Sequence, residues 1–251
     1  MNLLMVFLGV IFGVIIFLGI IALIIYGNLK VAFQKLGFKV NSLSDMADEM
    51  NKIKAQDSER ARSISGMTNL LLPTIRDDFP EFNENELYAM TESSLRSIFN
   101  ALEQKNKDYV KDMPLVRTSV SNIIDDYSAA SINVKYDDIE FHKFAIYKYE
   151  RKDGVATVTV STAVGYYYTK TKDGKEIEGN TKLKKQTRYQ CDIIYIYDET
   201  KVSSDAKVLA INCPNCGASI SSLGHKFCEY CGTGVKEVNL KSWEFSSYEE
   251  F

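Results

Sequence analysis

The chain opens on an unbroken apolar block, from Leu3 to Ile25, with no charged residue in it. At 1.5 Å per residue this block spans roughly 30 Å, the thickness of a bilayer's hydrocarbon core. A membrane helix is therefore expected over residues 1–27, in contact with lipid through residues 3–26. The rival reading is a cleavable signal peptide, which wants a basic leading segment, a shorter apolar core and a small-x-small cleavage site. Nothing basic precedes the block, and Ala22-Leu-Ile-Ile-Tyr26 is a poor cleavage site, so an uncleaved single-pass anchor is expected. Residues 28–66 follow as a polar juxtamembrane stretch. Leu36, Val40, Leu43, Ala47 and Met50 recur there at three-four spacing, which predicts one apolar helical face. From Ala55 to Gly66 the pattern gives way to a linker.

Two further helices carry clear signals. Asn83 is placed to cap a helix running to about Lys105, with Glu86 three residues later and Phe82 and Leu87 as a hydrophobic staple. Its apolar face is Leu87, Met90, Ser94, Ile98, Ala101 and Leu102. Another begins near Asp112 or Pro114, since proline suits a first turn, with a stripe of Val116, Val120, Ile123, Ile124 and Tyr127. Both stripes read as core. After Ser131 the period changes to two: Ile139 and Phe141 alternate, then Phe144 and Ile146 beyond a bulge. Asp153-Gly154 marks a tight hairpin, and Ala156, Val158, Val160, Thr162, Val164 and Tyr166 line one face. A polar excursion over 172–179 precedes a third strand, 187–197. Near the end Val238, Leu240, Trp243 and Phe245 alternate again, predicting a strand over 238–251 that returns to the same sheet. Helices followed by a meander of strands predict an α+β fold with an antiparallel sheet.

Composition narrows the picture. The 251 residues are 25% charged and 45% hydrophobic, with a net charge of −3. That suffices for one compact domain and a small satellite, and offers no general attraction to nucleic acid. After the apolar block come Lys30, Lys35 and Lys39, so the positive-inside rule places the C-terminal part in the cytoplasm, at the cell membrane. Gly9 and Gly13 form a small-residue pair of the kind that packs membrane helices, which leaves a homo-oligomer open.

The chemistry lies in Cys213-Pro-Asn-Cys216-Gly217 and Cys228-Glu-Tyr-Cys231-Gly232, two knuckles separated by eleven residues. Two Cys-x-x-Cys turns give four thiolates, enough to fill a tetrahedral shell round Zn2+ and leave no place for water or substrate. Cys213, Cys216, Cys228 and Cys231 are thus expected to hold a structural metal within a ribbon over 206–236. Two disulfides would need an oxidising compartment, and four cysteines also accommodate iron. Ala218, Ile220, Leu223 and Phe227 are too few to hold this segment folded without metal.

Other reactive residue types carry less. Cys191 reads as a buried small hydrophobe, and His225 as a loop residue beside an already complete set. His142 has no nucleophile near it in sequence. In Asp77-Asp78 and Asp137-Asp138 adjacent side chains diverge, which does not suit paired acid–base work. No phosphate-loop or dinucleotide pattern occurs. Lys226 and His225 are too little cation in the ribbon loop for phosphate binding.

The stretch from Phe79-Pro-Glu-Phe-Asn-Glu-Asn-Glu-Leu87 to Tyr189-Gln-Cys-Asp-Ile-Ile-Tyr-Ile-Tyr197 resembles the Tim-forty-four-like domain of the nuclear transport factor two superfamily, over roughly residues 67–205 and the final strand. The module from Cys213 to Cys231 looks like bacterial zinc ribbons, and the combination with an anchor is similar to membrane proteins of Gram-positive bacteria. The resemblance implies cone-like packing, with a curved sheet wrapped round helices. Relatives of that kind include protein-binding and membrane-docking modules and a few isomerases and dehydratases. The acid–base set of those enzymes has no counterpart in this sequence, and the ribbon is foreign to the mitochondrial tether. The expectation is therefore a non-enzymatic, membrane-anchored adaptor for a protein partner, linked to protein transport by resemblance alone. The alternative is a small-ligand binder or isomerase-type enzyme using the cone interior, with Tyr189, Tyr195, Tyr166 and His142 its first candidates.

Overall fold

A computed structural model describes residues 3–35, 42–198, 201–202, 211–213, 215–220, 227–234 and 242–251. They fall in two compact units, Met1–Asp57 and Ser58–Phe251. In the first, helix α1 spans Leu3–Lys35. Its stretch Ile11–Ala32 is long and apolar enough to cross a membrane, and side chains such as Phe12, Phe17 and Leu23 stand exposed on it. Helix α2 covers Leu43–Glu59. Ser42 caps it reciprocally: its hydroxyl accepts from the Asp45 amide at 3.1 Å, and its own amide donates to Asp45 Oδ2 at 3.0 Å. The apolar face expected here is corrected by the structure. Met46 is the buried residue, while Leu43 and Met50 are exposed; Leu36, Lys39 and Val40 lie outside the described residues. Nor does the helix dissolve at Ala55, since it continues to Glu59.

In the second unit, α3 spans Thr68–Asp78 with Pro73 inside it. This helix escaped the sequence reading because a proline at the sixth position removes an amide donor and reads as a stop. Helix α4 is Glu84–Gln104 and α5 is Pro114–Ala129, with Pro114 in its first turn; a single 3-10 turn, Lys107–Val110, joins them. Asn83 does cap α4, but Oδ1 accepts the amide of Asn85 at 3.0 Å, and Glu86 takes the Asn83 side-chain amide at 2.9 Å instead of its backbone. The buried residues of α4 include Leu87, Thr91, Leu95, Ile98, Phe99 and Leu102, and those of α5 include Val116, Val120 and Ile124.

Three long strands follow: β1 (Ile132–Lys152), β2 (Val155–Lys172) and β3 (Lys175–Ile196). Two short ones, β4 (Ile211–Asn212) and β5 (Ser219–Ile220), pair with each other in the cysteine segment. The last, β6 (Glu244–Glu250), pairs antiparallel with β3, giving a four-stranded sheet in the order β1-β2-β3-β6. Val238 and Leu240 of the expected final strand lie outside the described residues. Both hairpin turns are Asp-Gly pairs, Asp153-Gly154 and Asp173-Gly174, with φ of 50° and 81°, then 50° and 77°. Two consecutive positive φ values make the turn that matches strand twist. The supposed polar excursion over 172–179 is thus a turn and the start of β3. Strand β1 is bulged between Phe141 and Lys143, where alternation fails in the sequence, and at two further points.

Helices α3, α4 and α5 cover one face of this sheet, burying Val134, Ile146, Val158, Val160, Val164, Tyr166, Tyr189, Cys191, Ile193 and Phe245. The opposite face of the central strand is also buried, although its residues are small: Ser161 and Ala163, beside Ala145 of β1. The chain leading into α3 runs across that face as a strap. It is bonded to β3 where Gln186 Nε2 donates to the Ser58 carbonyl at 2.8 Å and Arg62 Nε to the Gln186 carbonyl at 3.2 Å. At the other end the Met67 amide donates to the Ile146 carbonyl of β1 at 2.7 Å, and the Ile146 amide to Thr68 Oγ1 at 2.9 Å. A Cβ at Gly66 would fall 2.3 Å from that of Ala145. Small residues on the sheet and a glycine on the strap thus let two backbones approach. Residues 60–66, read from sequence as a linker, are docked.

Candidate metal centre

Each cysteine knuckle is built by the same two backbone bonds. In the first, the Cys213 amide donates to the Ala218 carbonyl at 2.8 Å and the Gly217 amide to the Cys213 carbonyl at 2.9 Å. In the second, Cys228 donates to Thr233 at 2.8 Å and Gly232 to Cys228 at 2.8 Å. Gly217 and Gly232 have φ of 73° and 69°, and nothing lies within 4 Å of a Cβ added to either. Glycine is required there by backbone conformation, not by crowding. Pairing of β4 with β5 closes the first knuckle, and a bridge between Phe227 and Gly234 closes the second.

These loops bring four sulfurs together, all within 4.8 Å of one another. Cys213 and Cys231 Sγ are 3.5 Å apart, and Cys216 and Cys228 Sγ 3.7 Å. A disulfide needs about 2.05 Å, so neither pair is bonded, and all four cysteines are free. A tetrahedral ion with sulfur ligands at about 2.3 Å has sulfur–sulfur edges of about 3.8 Å. The observed separations lie close to that edge, so the set could hold a metal ion. Cys213 and Cys228 are buried while Cys216 and Cys231 are exposed, one of each per knuckle.

Hydrogen bonds and neighbouring sulfurs move two of the thiols apart. The Thr233 hydroxyl, 3.2 Å from Cys231 Sγ, and the Thr233 backbone amide bring the Cys231 thiol down to about 6. Cys216 goes the other way, to about 12: the Ala218 amide pulls it down, but the neighbouring sulfurs, Cys231 first, push it up. Four adjacent thiolates repel one another, and only a central positive charge lets all ionise together. Thr233 was missed by sequence reasoning; its only signal is its place two residues after the last cysteine. Phe227 is 64% exposed, so it is not the core residue expected of this segment. Leu223, His225 and Lys226 lie outside the described residues.

Of the tyrosines and histidine named for an interior site, Tyr166 and Tyr189 come together, while Tyr195 and His142 lie elsewhere. Tyr166 and Tyr189 are buried with their hydroxyls 3.0 Å apart, inside a ring cluster with Phe99 and Tyr136. Tyr195 instead packs on Phe79 and Trp243. His142 stands on β1 with Nε2 3.2 Å from Gln186 Oε1. Cys191 is fully buried, and burial pushes its thiol up. The pair Asp137-Asp138 diverges: Asp137 bonds Lys135 at 2.6 Å, and Asp138 bonds Lys184 at 2.8 Å.

The paired tyrosines have a pH consequence. Burial raises the pKa of both Tyr166 and Tyr189. Groups whose folded pKa exceeds the unfolded value of about 10 stabilise the fold below that pH, and the contribution fades as pH rises through the folded value. The melting temperature is expected to hold to about pH 9.5 and then fall. Phenolate absorbance should show these two rings ionising together with unfolding. Ionisation of both in a still-folded chain at pH 10 would refute the assignment.

No family model matches the chain, and no curated protein matches it at a significant level.

Proposed function

We propose that this chain is a membrane-anchored, zinc-binding adaptor that works by holding a protein partner at the membrane rather than by catalysis. The observation that carries this reading is the closed donor set: four sulfurs within 4.8 Å of one another. With every coordination position filled by the protein, the ion has no site for substrate, and its role is to hold the segment folded. Zinc is favoured over iron by the ribbon spacing and by its liking for four thiolates. Lys30, Lys35 and Lys39 on the C-terminal side of the apolar helix favour a cytoplasmic placement, where thiols stay reduced. The Tim-forty-four-like resemblance adds a partner-docking role for the sheet unit, within an architecture of helices on one face of an antiparallel sheet. Tethering then raises the partner's effective concentration at the membrane without tight contacts.

An interior ligand site finds less support. The Tyr166 and Tyr189 hydroxyls are 3.0 Å apart and bonded to each other, within an apolar ring cluster. The test is proximity labelling in cells from a ligase fused after Phe251. A reproducible set of cytoplasmic or inner-face neighbours is expected, lost when the anchor is replaced by a soluble leader. Labelling confined to external proteins, or no reproducible neighbour, would overturn the adaptor reading.

A further inference from the structure

The sheet unit holds a second feature, remote in character from the cysteines. Between α3 and α4, and against the ends of β3 and β6, lies an open pocket of about 500 Å³. Its wall is aromatic. Phe79 lies 5.0 Å from Tyr195 and 5.3 Å from Trp243, centroid to centroid, and Trp243 lies 5.4 Å from both Phe82 and Tyr195. Leu87 and Met90 extend the apolar surface, while the carboxylates lining it are Asp78, Glu81 and Glu86. Among the described residues no lysine or arginine lines it. Aromatic faces attract cations through their ring quadrupoles, and carboxylates beside them add charge and hydrogen-bond acceptors.

The molecule displays this recognition once already, at the pocket's edge. Arg151 pairs with Asp78 and lies 4.5 Å over the Tyr197 ring and 5.8 Å from the Phe79 centroid. That pair occupies Asp78, whose second oxygen accepts from the Tyr149 hydroxyl at 2.7 Å. Glu81 and Glu86 line the pocket and are both exposed; Glu86 accepts from the Asn83 side-chain amide at 2.9 Å. A pocket of this volume exceeds what a small ammonium ion fills and suits a long side chain on a peptide backbone.

We infer that this pocket binds an arginine-bearing segment of a protein partner, its guanidinium held between the aromatic wall and Glu81 and Glu86, its stem over Leu87 and Met90. The inference names the partner chemistry within the adaptor reading and rests on that reading for its purpose, while the binding itself is tested on the protein alone.

Trp243 is the only tryptophan in the chain, so its emission reports on the pocket directly. The full-length, metal-loaded protein in detergent micelles is titrated with capped tripeptides whose central residue is arginine, citrulline or glutamate. Arginine is expected to give a saturable change with a millimolar midpoint, citrulline a midpoint at least tenfold weaker, and glutamate none. The double variant Glu81→Gln, Glu86→Gln keeps size and acceptors at exposed positions and should weaken the arginine midpoint about tenfold, and Glu81→Gln alone, outside the α4 cap, should weaken it in the same direction without moving the melting temperature. Absence of saturation with arginine, equal midpoints for arginine and citrulline, or an unaffected double variant would each overturn the site. Such a failure would leave the proximity-labelling result, and the adaptor reading, standing separately.

Discussion

Stripping the metal from the full chain is expected to unfold residues 211–234 while the four-stranded sheet stays folded. Among the described residues of that segment Cys213 and Cys228 are buried, whereas Phe227 and Tyr230 are 64% and 79% exposed. The β4–β5 pairing, the Phe227–Gly234 bridge and the four knuckle bonds are small beside the entropy of ordering some twenty residues at about 1–2 kcal/mol each. A structural zinc bound as proposed would supply on the order of 10–16 kcal/mol, so its loss is expected to outweigh the contacts described for the segment. Amide exchange read by mass spectrometry, before and after a chelator has removed the bound metal, makes the comparison. Protection should vanish over 211–234 and persist over β1, β2 and β3. Retained protection in the cysteine segment after complete metal loss would refute the account, as would two disulfides in the metal-loaded protein.

The second large effect is expected at Phe99. Its ring stacks on Tyr136 at 4.8 Å and lies 5.6 and 5.7 Å from Tyr166 and Tyr189, at 2% exposure. With Tyr88, which stacks on Phe144 at 5.4 Å, it is a contact through which α4 meets the sheet's aromatic residues. Phe99→Ala removes the ring and leaves a cavity that three rigid neighbours cannot close, a loss of about 3–5 kcal/mol. With a total stability of about 5–15 kcal/mol, that is a large share. Urea unfolding followed by Trp243 emission should show the midpoint falling by roughly 2 M, given a slope of about 1–3 kcal/mol per molar. Phe99→Leu, which refills much of the space, should lose about a third as much. A shift under about 0.5 M for the alanine variant would show that the cluster is not the centre of the core.

Much of this architecture was legible before the structure. Asn83 and Pro114 marked their helices because caps and first turns are local chemistry. Asp153-Gly154 marked a hairpin for the same reason. The identical signal at Asp173-Gly174 was read as an excursion because the residues beyond it, Lys175 to Lys182, are exposed on both faces; a hairpin end beyond the core has no apolar alternation to display. Helix α3 was hidden by Pro73. The knuckles were plain in the cysteine spacing, yet Thr233's hold on Cys231 was not, since it depends on how the second loop closes. The strap and the aromatic pocket join residues far apart in sequence, through contacts that no local pattern announces.

The strap has a consequence for how the chain bears tension. A pull arriving from the N-terminal side, by covalent connectivity, meets the folded unit first at Ser58 and last at the Met67–Ile146 bond. The anchoring points along β3 must give way before those on β1, one after another, and the helix-covered face of the sheet is spared until all have gone. Residues 58–67 reach roughly 30 Å when fully extended, at about 3.3–3.6 Å per residue, and release only the part of that length not already spent crossing from β3 to β1. Residues 58–67 thus hold a reserve of length that a load from the N-terminal side would draw on before it reached the core.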